Sequence, residues 1–291
     1  MKKKLHPKIF IIVLNFNGKS TLAACLSSIY QSDYLNFEVI VVDNNSDDGS
    51  LEQAMGAFSR AHFIKNPDNV GFSKGNNIGI RYALEKFADY IFVLNNDTFI
   101  EKTTLSLLMG AMNKTPSAGL ASPVIFTADN ASIWFAGGLI YWRKMKTAHL
   151  HKVVSGTPYT TEYVSGCAML VRKDVFKKIG LFDERFFLYY EDADFSFRAK
   201  QAGFDLIIIP AARIKHLEQS NTVNKLKTYW LVLSGLIFFQ TNASFIQKIW
   251  IIPYTFLRKI KNLYDVIFSG NEIARDVRKA YRDFKRVYKN N

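Results

Sequence analysis

Carboxylates follow apolar or aromatic runs at three points of this sequence: Asp43, Asp97, and the group Glu191, Asp192 and Asp194. Crowded carboxylates raise one another's pKa and a helix N-terminus opposes that rise, so the third group could hold a tuned proton acceptor. Asp97 could hold Mg²⁺ or Mn²⁺ with phosphate oxygens and water as further ligands. Asp43 could accept hydrogen bonds from a pyrimidine imide or a ribose hydroxyl. Each group also has a structural interpretation as a turn or a helix cap, with Asp192 as an N-cap.

Regular elements must position these residues, and the chain alternates short apolar segments with segments of helical periodicity. The pattern predicts strands at residues 9–14, 39–42, 62–64 and 90–94 and helices at residues 19–30, 51–59 and 73–87. This alternation predicts an α/β fold with a doubly wound, mostly parallel sheet flanked by helices. The carboxyl ends of parallel strands form a ligand crevice, so Asn15, Asp43 and Asp97 should converge there.

The second part of the chain is less regular, and we expect loops and short antiparallel strands over residues 118–161. The remaining predicted elements are strands at 164–171 and 206–209 and helices at 173–179 and 192–201. Together these elements complete one domain, residues 1–220. His216 lies near the end of its last strand, and a lone histidine is more often structural than a ligand.

The net charge of +13 is concentrated in the C-terminal region. Residues 221–291 contain 13 Lys and Arg against four Asp and Glu, a net of +9, which leaves +4 for residues 1–220. A basic surface requires an acidic partner such as nucleic acid or anionic lipid. No recognition helix and no basic sheet with interleaved aromatic residues is evident, so nucleic-acid binding is the weaker hypothesis.

Apolar runs at residues 229–239 and 246–257 are too short to span a bilayer. Residues 273–289 are predicted to form a basic amphipathic helix with these apolar residues on one face: Ile273, Val277, Tyr281, Phe284 and Tyr288. We therefore expect a helical, basic and aromatic-rich extension over residues 221–291, with residues 226–291 binding an anionic membrane surface. The alternative is that its aromatic residues close the core or form a contact in a homo-oligomer.

Cys25 and Cys167 are the only cysteines and lie in unrelated contexts, which excludes a disulfide framework and a cysteine-based zinc site. A reducing cytoplasm is the expected compartment. Lys2, Lys3 and Lys4 precede an apolar run, but that run stops at Asn15, so we expect no export signal.

Six segments in order resemble the family 2 inverting nucleotide-sugar glycosyltransferases, which have the GT-A fold. The resemblance covers residues 8–220 and rests on residues 12–18, 41–50, 69–79, 94–98, 165–172 and 180–198. In sequence it most resembles the rhamnosyl- and galactofuranosyltransferase branch that builds bacterial surface polysaccharides. The resemblance implies a nucleotide-sugar half over residues 8–117 and an acceptor half over residues 118–220.

The resemblance also implies roles for single residues. Asp192 would be the general base, oriented by Glu191 and Asp194, and Arg198 would pair with Asp194 one helical turn away. Asp97 and His216 would hold Mn²⁺ or Mg²⁺, because His216 follows Asp192 by the two dozen residues typical of the family. The residues expected on the donor side are Asn15, Asn17, Asp43, Asn45, Asn69, Gly71, Lys74, Asn76, Asn77, Asn95 and Asn96.

The implied reaction moves a sugar from dTDP-rhamnose or a UDP-hexose to a hydroxyl of a glycan or lipid-linked acceptor, at the inner face of the cell membrane. Asn95 and Asn96 stand where many relatives carry acids, and Leu233 and Ser234 stand where relatives commonly show an arginine and an asparagine. Asn95 and Asn96 motivate the alternative of a non-catalytic nucleotide-sugar-binding homologue.

Overall fold

A computed structural model describes residues 6–217, 225–268 and 272–289. Its first part alternates strands and helices as the apolar pattern predicts. The elements are β1 (Ile9–Asn15), α1 (Leu22–Tyr30), β2 (Phe37–Asp43), α2 (Ser50–Ala57), β3 (His62–Lys65), α3 (Gly71–Glu85), β4 (Tyr90–Asn95), β5 (Thr98–Ile100) and α4 (Thr104–Lys114). β1 pairs in parallel with β2 and β4, and β2 pairs in parallel with β3.

The second part of the domain is more regular than expected. Its strands and helices are β6 (Ala118–Thr127), β7 (Ile133–Phe135), β8 (Gly138–Tyr141), β9 (Lys146–His149), β10 (Tyr159–Thr160), β11 (Ala168–Arg172), α5 (Lys173–Ile179), α6 (Glu191–Gln201) and β12 (Asp205–His216). The strand order of the main sheet is β10-β12-β6-β11-β4-β1-β2-β3, with β5 on β12 and β7 on β6. β8 and β9 form a separate two-stranded antiparallel sheet. β11 is antiparallel to both its neighbours, while β12 and β6 are parallel.

Three predicted boundaries in this part were wrong. Residues 118–127 form a ten-residue central strand rather than loops. The strand predicted from residue 164 begins at Ala168. The strand predicted to end at residue 209 continues to His216, because a shift in its pairing with β6 between Ile209 and Arg213 accommodates Pro210, which has no N–H to donate.

The core lies on both faces of the sheet. On one face β1 and β4 pack against apolar residues of α1 and α4, including Leu26 and Leu108. On the other face Ile80 of α3 and Phe195 of α6 contact the strands. The helices on both faces exclude water from the central strands, and the carboxyl ends of these strands remain open to form the crevice.

The C-terminal helices are α7 (Lys225–Asn242), α8 (Phe245–Phe268) and α9 (Glu272–Lys289). Phe238 and Phe239 of α7 are fully buried and join the core of the sheet. The domain boundary predicted at residue 220 falls within residues 218–224, outside the described residues. No helix in the described ranges is long and apolar enough to cross a membrane.

Most of the apolar face predicted for residues 273–289 packs inside the protein, while Ile273 of the same face is 37% exposed. Tyr281 is buried, and Val277 and Phe284 are half-buried against the core. Asp283 accepts a 2.9 Å hydrogen bond from the Tyr229 hydroxyl of α7. The side chain of Tyr288, predicted on the same face, lies outside the described part.

Candidate active site

An open cavity of about 790 Å³ lies at the carboxyl ends of the central strands. This volume is within the range of small-molecule sites. The sequence-predicted residues that line it are Asn17, Asn95, Asn96, Asp97, Glu191, Asp192 and His216. The fold therefore brings together the residues predicted for the metal and for the base.

Strand pairing brings Asp97 and His216 together. β5 runs antiparallel to the end of β12, with Thr98 opposite His216, and the Leu217 N–H donates to the Asp97 carbonyl at 2.8 Å. Asp97 Oδ1 lies 3.2 Å from His216 Nε2. Burial lowers the pKa of His216, but Cys167 and Asp97 raise it more strongly, to about 11. The ring is also held by the edge of Trp134, 4.6 Å away between centroids.

These two residues fit a divalent cation that is only partly coordinated by protein. Asp97 Oδ1 is buried and makes no well-formed hydrogen bond within the described residues. Carboxylate and neutral imidazole are acceptable ligands of Mn²⁺, so His216 would release its proton on binding the cation. Mg²⁺ takes most of its ligands from carboxylate, phosphate and water. Among the described residues no group of three or more His, Cys, Asp or Glu is placed to hold a metal. The remaining ligands would have to come from the substrate and from water.

Asp192 is held at the cavity wall by two backbone amides. The Gly166 N–H donates to Oδ2 at 3.0 Å and the Ala193 N–H donates to Oδ1 at 2.7 Å. Burial raises the pKa of Asp192, and these two N–H groups oppose the rise. The alternative interpretation of Asp192 as a helix N-cap was wrong, because α6 begins at Glu191 and Tyr190 precedes it in a left-handed conformation with φ of 66°.

Glu191 lines the same cavity as Asp192. It is buried, and Oε2 has no hydrogen-bond partner within the described part of the chain. Burial, the neighbouring Asp192 and then Asp194 hold the pKa of Glu191 well above its usual range. Burial thus raises the pKa of both adjacent carboxyl groups, and at Asp192 the Gly166 and Ala193 amides oppose the rise.

Asp194 does not reach the cavity, so its predicted role in orienting Asp192 is corrected. Its carboxylate accepts hydrogen bonds from Arg198 Nε at 2.7 Å and from Asn242 Nδ2 of α7 at 2.8 Å. Arg198 also donates to the Ile179 and Leu181 carbonyls. The predicted pairing of Asp194 with Arg198 is confirmed, and it fixes α6 to α7 and to the end of α5.

The Asp43 carboxylate is fully buried and is not on the cavity wall. It accepts hydrogen bonds from Asn15 Nδ2 at 2.8 Å and from the Ser46 N–H at 2.9 Å. Asn15 in turn accepts a bond from Asn96 Nδ2 at 2.8 Å. In this arrangement Asp43 and Asn15 stiffen the loops behind Asn96, and their direct contact with the donor stays a prediction. Asn45 is exposed outside the cavity.

The predicted donor residues around α3 also lie behind the cavity wall. Asn69 Oδ1 accepts a bond from the Gly71 N–H at 3.0 Å, and Asn77 exchanges hydrogen bonds with both backbone groups of Phe182. Buried Asn76 bonds the Phe72 carbonyl, while Lys74 is exposed. Of these residues Asn77 joins α3 to the segment before α6. Direct donor contacts of this group stay a prediction.

Aromatic residues and one lysine of the wall were missed as site residues. They are Phe16, Phe72, Trp134, His149, Tyr163, Tyr189, Tyr190, Lys227 and Trp230. Trp230 of α7 stacks on Phe187 with centroids 4.4 Å apart and an angle of 16°. The density of aromatic residues in the sequence could have indicated them, since such rings commonly form the apolar lining of ligand sites. Because α7 contributes to this wall, the C-terminal region is part of the site.

Comparison with known proteins decides the family. The sequence model described as Glycosyl transferase family 2 matches residues 10–180. The chain belongs to glycosyl transferase family 2. This membership confirms the predicted glycosyltransferase function and agrees with the α/β architecture described above.

Curated relatives of this family 2 glycosyltransferase include two rhamnosyltransferases. The dTDP-rhamnosyl transferase RfbF of Shigella flexneri is 26% identical over 213 residues, covering 73% of this chain and 70% of the relative. The N-acetylglucosaminyl-diphospho-decaprenol L-rhamnosyltransferase of Mycobacterium tuberculosis is 24% identical over 235 residues, covering 73% and 76%.

Among solved structures, GalNAc-T7 with UDP, GalNAc and Mn²⁺ superposes with a TM-score of 0.62 at 17% identity. The match covers 79% of this chain and about half, 51%, of that one. At this identity the likeness concerns the fold, and it confirms the predicted GT-A architecture.

Proposed function

We propose that this chain transfers a sugar, with inversion, from a nucleoside diphosphate sugar to a hydroxyl of a glycan or lipid-linked acceptor. One observation carries the proposal. A carboxylate held by two backbone amides, Asp192, shares a cavity with the Asp97 and His216 pair. A base and a cation site facing one space are what transfer from a diphosphate leaving group requires.

The chain's own residues would act as follows. Asp97 and His216 would hold Mn²⁺ or Mg²⁺, which when bound neutralises charge on the departing diphosphate. The Gly166 and Ala193 amides orient the Asp192 carboxylate and oppose the rise in its pKa that burial causes. Asp192 accepts the proton of the acceptor hydroxyl while that oxygen attacks the anomeric carbon from the face opposite the leaving group, so the configuration inverts.

The aromatic walls would exclude water from the reacting centre. Trp134 lies beside His216, and Trp230 forms part of the opposite, α7 side of the cavity. Flat apolar rings contact the C–H faces of sugars without requiring polar partners, while Asn17, Asn95 and Asn96 offer hydrogen bonds. Asparagines at these positions leave one carboxylate, Asp97, for the cation.

For the donor we propose dTDP-rhamnose or a UDP-hexose, which the description of the Shigella relative as a dTDP-rhamnosyl transferase supports. For the acceptor we propose a lipid-linked glycan, in line with the diphospho-decaprenol in the mycobacterial relative's description. The protein would then work at the inner face of the cell membrane, with residues 226–291 on an anionic surface. A homo-oligomer formed through the same residues is the competing proposal.

The test is a panel of dTDP-, UDP- and GDP-sugars assayed for binding and for slow hydrolysis, with Mn²⁺, Mg²⁺ or chelator present. We expect cation-dependent binding of a pyrimidine nucleotide sugar. Asp192→Asn should reduce transfer by about 100- to 10,000-fold, the usual contribution of a general base, and leave donor binding within a few-fold. Unchanged turnover in that variant would refute the base assignment, and donor binding without turnover by the native chain would favour the non-catalytic homologue.

A further inference from the structure

Helix α8 carries a large exposed apolar surface. It spans Phe245–Phe268, 24 residues, or about 36 Å at the usual rise. Its buried residues are Ile251, Thr255 and Asn262. Its exposed large apolar side chains are Phe245, Ile246, Ile249, Trp250, Ile252, Phe256, Leu257, Ile260, Leu263, Tyr264, Ile267 and Phe268.

These side chains form one continuous face. At 3.6 residues per turn, all of them fall within an arc of about 160°, which also contains Pro253 and no charged residue. Lys259 and Lys261 lie just outside the two edges of the arc. A soluble monomer rarely exposes one apolar surface of this extent, so the face needs a partner.

The positive charges on α9 and at the edge of the α8 face favour an anionic partner. The exposed side of α9 carries Arg275, Arg278, Lys279, Arg282, Lys285 and Arg286. The Arg143 guanidinium lies 5.5 Å from the Trp250 ring, at one edge of the α8 face. An apolar face bordered by cations matches the acyl chains and headgroups of an anionic bilayer. A second copy would instead bring two basic C-terminal regions together.

We propose that the exposed face of α8 inserts into the interface of an anionic membrane while the basic face of α9 contacts lipid headgroups. This deepens the membrane part of the proposed function and assigns insertion to α8, since Val277, Tyr281 and Phe284 of α9 pack against the core. The inserted helix lies along the surface, with its apolar side chains between headgroups and acyl chains.

The position of α8 also relates the membrane to the catalytic cavity. A second cavity, of about 230 Å³, is lined by Thr255 and Arg258 of α8 and by Tyr190 and Leu231. Tyr190 and Leu231 also line the large cavity. Insertion of α8 would therefore hold the large cavity near the bilayer. That consequence rests on the proposed transfer to a lipid-linked acceptor, whereas membrane binding itself does not.

Vesicle cosedimentation of the full chain tests the inference. The test variant is Ile249→Asn, Phe256→Asn and Ile260→Asn together, at the centre of the exposed face. The matched control is Leu35→Asn with Phe87→Asn, which removes apolar side chains 85% and 84% exposed elsewhere. With equimolar phosphatidylcholine and phosphatidylglycerol, we expect the control to bind as the native chain does and the test variant to bind roughly 100-fold more weakly.

Quenching by brominated phosphatidylcholine, mixed with phosphatidylglycerol, gives a second measurement. Trp250 is 56% exposed on the α8 face, so its fluorescence should be quenched when the native protein is bound to vesicles. Trp250→Phe should lose that quenching while still binding. Equal binding by the α8 variant and the native chain would overturn the inference. A second result would also overturn it: the native chain self-associates, the α8 variant does not, and neither binds vesicles. A second copy of the chain would then cover the face.

Donor binding in solution keeps the two proposals separable. The α8 variant should bind nucleotide sugar with cation as the native chain does, which also shows that it is folded. Loss of vesicle binding with retained donor binding supports insertion of α8. Vesicle binding by a native chain that binds no nucleotide sugar would refute the proposed transfer and leave the membrane inference standing.

Discussion

Asp97 Oδ1 lies 3.2 Å from His216 Nε2, although the two residues come from opposite halves of the chain. The contact depends on the antiparallel pairing of the three-residue strand β5 with the last residues of β12. A short strand therefore builds the proposed cation site. Spacing along the sequence does not reveal this pairing, which the family resemblance supplied.

Asp97→Asn tests the cation site directly. Replacing a ligand carboxylate should weaken Mn²⁺ binding in the presence of nucleoside diphosphate by at least about 10- to 100-fold, the loss typical of outer-shell partners. Electron paramagnetic resonance of free Mn²⁺ measures this without turnover. Asp205→Asn is the control, since it removes an exposed carboxylate at the other end of β12. Equal Mn²⁺ affinity in both variants would contradict the assignment.

Glu191 predicts a dependence of stability on pH. Burial raises the pKa of Glu191 in the folded state, so the folded protein binds a proton that the unfolded chain releases. The stabilisation is complete below the unfolded pKa and is lost as pH rises toward the folded value. Over that interval the free energy of unfolding of Glu191→Gln, which cannot ionise, should rise relative to that of the native protein by about 1.4 kcal/mol per pH unit.

Denaturant unfolding of both proteins across pH measures this difference. At low pH, where Glu191 is protonated in both states, the two free energies of unfolding should agree apart from a constant offset. Parallel curves at every pH would mean that Glu191 ionises normally in the folded protein.

Substitution of Asp194 should lower stability, whereas substitution of Asp192 should lower turnover. Asp194→Asn weakens a buried pair with Arg198, so the free energy of unfolding should fall by about 2 to 4 kcal/mol. Turnover per folded molecule should stay within a few-fold, in contrast to Asp192→Asn. Asp174→Asn, which breaks an exposed pair with Lys177, should cost less than about 1 kcal/mol. If Asp194→Asn lost as much turnover per folded molecule as Asp192→Asn does, Asp194 would return to the catalytic group.

The sequence predicted the strands and helices through residue 94 to within a few residues, because buried parallel strands are short, continuous apolar runs. β6 escaped prediction because Gly119, Ser122 and Pro123 interrupt its apolar pattern. Side-chain direction was also beyond prediction. Asp192 and Asp194 point about 160° apart on a helix, so the rotation of α6 about its axis decides which one faces the cavity.

The donor-side asparagines show a second limit. Asn69 and Asn77 have the residue types that bind phosphates or sugars, yet both are used by backbone groups of neighbouring loops. Composition cannot distinguish an amide that meets a ligand from one that ties two loops together, because both satisfy the same hydrogen-bonding capacity. That distinction needs the tertiary contacts with Phe182.

Gly71→Ala tests whether those ties position the cavity wall. Gly71 has φ of 82°, and a Cβ there would lie 2.6 Å from the Phe187 carbonyl oxygen. Because Phe187 stacks on Trp230, displacement would reach the cavity, and we expect a loss of about 1 to 3 kcal/mol in stability with weaker donor turnover. Gly56→Ala, in open space on α2, should instead stabilise by up to about 1 kcal/mol. Thermal unfolding and donor hydrolysis of the two variants measure both effects, and the same sign for both stability changes would contradict the role given to Gly71.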